Sequence, residues 1–129
     1  KDPELTLNVK QITNYSGQPP CPRSGATMVW LPLRKSGHQL LVVYGGRNDR
    51  IYESCGSVAL NDISIFNINL CQWETLAMFG QLPMGRWKHS MVAMNDQQQS
   101  EGFMIFGGAN LSTHCRSKIY TFKLIDKKR

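Results

Sequence analysis

Apolar residues in this chain come in short runs broken by glycine, proline and asparagine, and they recur with a period of two rather than 3.6. Ile63, Ile65 and Asn67 alternate with Ser64 and Phe66; Lys118, Tyr120 and Phe122 alternate with Ile119, Thr121 and Lys123. Successive side chains of a pleated strand point to opposite faces, so this alternation predicts strands with two distinct faces. Strands are expected at Ala26–Leu31, Gln39–Tyr44, Ile63–Asn67, Ser90–Met94, Phe103–Phe106 and Lys118–Leu124, where β-branched and aromatic residues gather. No stretch carries helical periodicity, and the expected class is all-β.

The strands also repeat as a set. Pro22-Arg23-Ser24-Gly25 precedes one apolar strand and Gly85-Arg86-Trp87-Lys88-His89-Ser90 another, with the arginines 63 residues apart. Each strand is followed by a second that runs into a glycine pair, Gly45-Gly46 and Gly107-Gly108, and those pairs are 62 apart. A polar loop and a third strand come next, around Asp62 in the first unit and Lys118 in the second; Trp73 closes the first unit. Glycine at the end of the second strand allows close backbone approach and positive φ, which predicts crowding there.

This order of motifs resembles Kelch repeats from Gln18 to Leu124. The resemblance implies blades of a Kelch-type β-propeller, each a four-stranded antiparallel sheet packed face to face on the next. Ala26 departs from the family pattern, which has His near that position. The second unit lacks a closing Trp, and each unit exceeds the family's ~50 residues. The resemblance assigns Arg23, Gly45, Gly46, Asp62, Trp73, Arg86, His89, Gly107 and Gly108 to the structural motif. It implies that Arg23 and Arg86 bond across blades and that Trp73 fills the wedge between them.

The phase of the repeat divides the chain. Gly17 and Gly80, like Pro20 and Pro83, are 63 apart, so Leu5–Ile12 stands where Trp73–Leu76 stands later. Residues 1–17 are therefore expected to be an outer blade strand and a linker. Residues 18–80 form the first repeat, 81–124 a second without its fourth strand, and 125–129 a basic tail. A propeller has roughly 4 to 8 blades, and two cannot close a ring. The chain is expected to be about two blades of a larger or assembled propeller, with the remaining blades or another chain as a partner.

Composition changes this picture little. The 129 residues carry 15 Lys and Arg against 9 Asp and Glu, a formal charge of +6. Arg116, Lys118, Lys123, Lys127, Lys128 and Arg129 supply six of the cations, so the body is nearly neutral and the charge belongs to the C-terminal end. Such a localised tail gives no footprint across a folded face, which argues against a nucleic-acid-binding basic β domain. The longest apolar stretch, Leu40–Tyr44, is far short of a membrane helix, and no membrane partner is expected. Cys21, Cys55, Cys71 and Cys115 form no CxxC and no Cys/His cluster, so zinc is not expected. They are read as free thiols in a reducing compartment, which makes the expected location cytoplasmic or nuclear rather than secreted.

Binding residues are expected on loops held by the rigid blades. The longest, between Arg47 and Ala59, holds Arg47, Asn48, Arg50 and Tyr52, a set suited to an acidic or phosphorylated peptide through bidentate contacts. His38, His89 and His114 share no ligand spacing, and His114-Cys115 lacks a third group to complete a nucleophilic site. No catalytic residue, metal or cofactor is expected. The resemblance implies a protein-interaction module, such as the recognition end of a ubiquitin-ligase adaptor or a cytoskeletal scaffold. A regulatory Kelch domain attached to a larger enzyme, such as a Ser/Thr phosphatase, is the alternative.

Overall fold

The computed structural model describes residues 4–50, 58–95, 101–111 and 117–125. Seven strands run in chain order: β1 (Thr27–Pro32), β2 (Gln39–Arg47), β3 (Ala59–Asn67), β4 (Gln72–Glu74), β5 (Ser90–Asn95), β6 (Glu101–Phe106) and β7 (Ile119–Lys123). They form two antiparallel sheets, one ordered β1-β2-β3-β4 and one β5-β6-β7. The all-β expectation holds, and among the described residues no helix is long and apolar enough to cross a membrane.

Each sheet is one blade, and alternation along the strands decides what it faces. In blade 1 the register aligns Val29 with Val42 and Val42 with Ile65, and Thr27 with Tyr44 and Tyr44 with Ile63. Leu31, Leu40, Val42, Tyr44 and Ile65 join Phe103 and Ile105 of blade 2 in one buried cluster. Tyr44 is the hub, fully buried, with its ring 5.3 Å from both His89 and Phe122. Phe122 in turn stacks on Phe103 at 4.5 Å. Burying side chains of this size contributes about 1.5–3 kcal/mol each, so the joint between blades is a true core.

Backbone bonds stitch the same joint. Gly46 N donates to Arg86 O at 2.8 Å, Arg86 N to Leu60 O at 3.0 Å, and Lys88 N to Gly25 O at 2.8 Å. Thr27 Oγ1 and His89 Nε2 are hydrogen-bonded at 2.6 Å across the blades.

Three expectations are corrected. In blade 1 the second strand does not stop at its glycine pair: β2 continues to Arg47, with a register shift between Tyr44 and Gly46, whereas β6 of blade 2 stops at Phe106 as expected. Gly45, at φ +69°, absorbs the irregularity, and pairing resumes at Gly46 with Leu60. Trp73 does not fill the wedge between the two blades. It pairs with Phe66, on the opposite face from the buried Ile65, and packs edge-on against that ring at 5.1 Å. The thiols are not all free either. Cys21 is disulfide-bonded, whereas Cys71 is a free thiol. The free-thiol ground for a reducing compartment therefore fails at Cys21.

Among the described residues, 4–15 form no strand, and the first pairing is an isolated bridge from Ser16 to Gln72. A strand needs a neighbouring edge, and β4 already occupies the edge of β3. Leu5, Leu7 and Val9 consequently stand almost wholly in solvent.

Candidate functional site: the loop end of the blade junction

The repeated arginines do the same work in both blades. Arg23 Nη1 donates to Gly45 O at 2.9 Å and Arg86 Nη1 to Gly107 O at 3.0 Å. Their Nε atoms donate to the carbonyls of Cys21 and Met84, each at 3.1 Å. Each guanidinium therefore braces its own blade at the glycine pair, and among the described residues neither side chain bonds across the blades as expected. The reason is local: both glycines take positive φ at the end of regular pairing, which turns the carbonyl out of the ladder, and the preceding loop delivers an arginine to it. The cross-blade bonds come instead from the main chain of Arg86.

The second partner differs between repeats. Arg23 makes a forked pair with Asp62, at 2.6 and 2.9 Å. The strand registers place Lys118 where blade 1 has Asp62. Arg86 lies over the Tyr120 ring instead, 5.3 Å from its centroid. Arg23→Ala is expected to lower stability by about 2 kcal/mol, because it orphans the Gly45 carbonyl and one carboxylate. Asp62→Asn, at a half-exposed carboxylate, is expected to cost about 1 kcal/mol. Urea midpoints of the two variants test the ranking, and equal losses would refute it.

The loops before β1, after β2, before β5 and after β6 converge at one end of this junction. Paired bridges tie them, Ser24 to Arg47 in blade 1 and Trp87 to Ala109 in blade 2. Arg47 is the central cation. Its Nε donates to Asp49 at 2.6 Å, and its guanidinium carbon lies 4.6 Å from the centroid of the Trp87 ring. Its side chain thus touches both blades. Asn48 is committed to the loop: its side-chain amide donates to Pro22 O, and its Oδ1 accepts from Arg50 N, both at 2.7 Å. Arg50 is exposed. Tyr52 lies outside the described residues, as do His114 and Cys115.

Trp87 and Lys88 were not among the expected binding residues. A signal for them exists in the repeat, because they stand 63 positions after Ser24 and Gly25. Gly25 has φ +69° and Lys88 φ +57°, so the second unit places an exposed lysine in the left-handed conformation of its glycine counterpart. The site therefore spans the junction, with Arg47 and Arg50 from blade 1 and Trp87 and Lys88 from blade 2.

His89, assigned to the structural motif, is buried against Thr27 and Tyr44. Burial first, and the Arg86 charge second, lower its pKa to about 4, with the Tyr44 backbone working in the opposite direction. The apolar linker around Met78–Met84 crosses a groove of about 840 Å³ between the sheets, floored by Leu31, Val42 and Phe103. Phe79, Leu82 and Met84 of that linker remain largely exposed. Among the described residues, no three His, Cys, Asp or Glu side chains gather as metal ligands.

A comparison with individual curated proteins finds no match. A family model, the KLHDC2/KLHL20/DRC7 Kelch-repeats domain, matches residues 4–128. With nearly the whole chain covered and the glycine-pair and arginine geometry present twice, the protein belongs to this family of Kelch-repeat domains.

Proposed function

We propose that this chain is a protein-interaction module whose partner is an acidic or phosphorylated peptide docked on the loop end of the blade junction. Kelch-repeat domains are, as a class, protein–protein interaction modules. The observation that carries the reading is the Arg47 guanidinium, stacked on Trp87 and steadied by Asp49 at a solvent-facing end. Stacking fixes the plane of the fork while leaving its Nη edge for a carboxylate or phosphate, so less entropy is lost on binding. Arg50 supplies a second cation three residues on, and Tyr52 falls in the same loop.

Peptide arrays of Asp/Glu-rich and phosphoserine sequences, probed with the purified chain, test this directly. Arg47→Ala/Arg50→Ala is expected to bind at least tenfold more weakly than the wild type, with a melting temperature lowered by only about 3 °C through loss of the Arg47–Trp87 contact. Equal binding by wild type and variant would sink the assignment, as would the absence of any anionic preference.

A further inference from the structure

Lys88 occupies a backbone conformation that costs a lysine stability and a glycine none. Its φ is +57°, in the left-handed region, and its counterpart 63 positions earlier, Gly25, sits at +69°. Among the described non-glycine residues only Cys71, in the tight turn between β3 and β4, shares this region. Lys88 is exposed, so burial of its side chain does not offset the strain. What lysine adds over glycine here is an ammonium group on a flexible stem. Strained non-glycine residues cluster where a ligand is clamped, which makes the outlier itself informative.

The surroundings place Lys88 beside Arg47. Lys88 N donates to Gly25 O at 2.8 Å, while Ser24, the residue before, exchanges both backbone bonds with Arg47, at 2.7 and 2.9 Å. Two consecutive residues of blade 1 therefore hold the backbones of both cations, one from each blade. The lysine stem follows the same turn: a β-carbon on Gly25 would stand 3.7 Å from Lys88 Cγ. Trp87, next to Lys88 in the chain, carries the Arg47 guanidinium on its ring. Asp49 and Asp62, at this end, are already engaged by Arg47 and Arg23, and no ion pair among the described residues reaches Lys88.

We infer that Lys88 is a specificity-determining residue that selects a phosphorylated side chain over a carboxylate. The inference rests on the peptide-binding reading above and narrows its ligand. A carboxylate has two oxygens, and the forked Nη edge of Arg47 can occupy both. A phosphoserine has three oxygens and a charge of about −1.5 to −2 at pH 7, so an oxygen and part of the charge remain once the arginine is satisfied. A lysine ammonium is a compact point charge with three donors, suited to that remainder. Blade 1 thus recognises an anion, and blade 2 reads how much charge it carries.

The probe is the strongest anionic peptide from the array, prepared with phosphoserine, glutamate or serine at the contacted position. Binding to the full chain is followed by fluorescence polarisation. The wild type should bind the phosphoserine form about fivefold more tightly than the glutamate form. Lys88→Gly should bring that ratio close to one with little change for glutamate, and should raise the melting temperature by about 3 °C as the strain is relieved. Lys88→Asn, which tolerates the left-handed region without a charge, is the second variant and should lose the preference likewise. Lys118→Ala removes another exposed cation at the same end and should leave the ratio alone. A wild type without the preference overturns the inference, as does a ratio unchanged in Lys88→Gly. An equal fall in Lys118→Ala would assign the selection to net charge, and a lower melting temperature in Lys88→Gly would make the lysine a packing residue; either result overturns it too. Failure of every anionic peptide to bind, or binding indifferent to Arg47→Ala/Arg50→Ala, refutes the peptide-binding reading itself and is seen before Lys88 is changed.

Discussion

Gly45→Ala is expected to destabilise the chain by about 3 kcal/mol, whereas Gly107→Ala, at the same place in the next repeat, costs about 1 kcal/mol. The two share a cause. Gly45 has φ +69° and Gly107 +75°, and an alanine in the left-handed region carries a penalty of about 1 kcal/mol or slightly more. They differ in what a β-carbon would meet. At Gly45 it would lie 2.8 Å from both Arg86 O and His89 Cε1, while nothing lies within 4 Å at Gly107. Relieving the first clash means parting the two blades at the point where Gly46 N bonds Arg86 O. Nor can the arginine loop simply move aside, because Arg86 is buried and its backbone amide is held by Leu60 O.

Thermal unfolding followed by circular dichroism separates the variants. A loss of about 3 kcal/mol corresponds to roughly 10 °C in a domain of this size, and a loss of 1 kcal/mol to about 3 °C. Equal shifts would show that backbone conformation alone sets both costs and that blade 2 gives way without resistance.

The asymmetry between these glycines marks the border of what the sequence makes legible. Alternation in Ile63–Asn67 and Lys118–Leu124 reveals strands because a half-buried sheet needs one apolar face, and the 62- and 63-residue offsets reveal blades. Which glycine of a repeated pair is packed against a neighbour depends on which blade has one. That is a property of position in the array and leaves no mark in the motif. Trp73 shows the same limit. Its presence marks the closing strand, but its face depends on register, and pairing with Phe66 puts it away from blade 2. At the loop end, Arg47 is readable as a loop cation. Its stacking on Trp87 joins residues 40 positions apart, and only the cross-blade geometry brings them together. Cys21 is a third case. Cysteine spacing does not fix pairing, because loops of this length can deliver distant thiols to one another.

His89 makes the same joint sensitive to acid. Its pKa in the folded chain, about 4, lies below the ordinary value of 6.5, so the folded state binds its proton less readily than the unfolded one. Stability contributed by the neutral ring is fully present above pH 6.5, declines as pH falls through the window between 6.5 and 4, and levels off below it. The full difference amounts to about 3 kcal/mol. Thr27 and the Tyr44 ring pack against the imidazole, and the nearby charge, Arg86, is of the wrong sign to compensate a proton. Protonation of carboxylates also costs stability in acid, so the informative quantity is the difference between wild type and His89→Gln, which keeps a hydrogen-bonding group near Thr27 but does not titrate. Urea midpoints measured from pH 7.5 to 4 should converge as acid removes the advantage of the wild type. Parallel curves would mean that His89 titrates alike in the folded and unfolded chains. They would also mean that the blade junction admits a charged imidazole, which a packed joint around a fully buried Tyr44 does not allow.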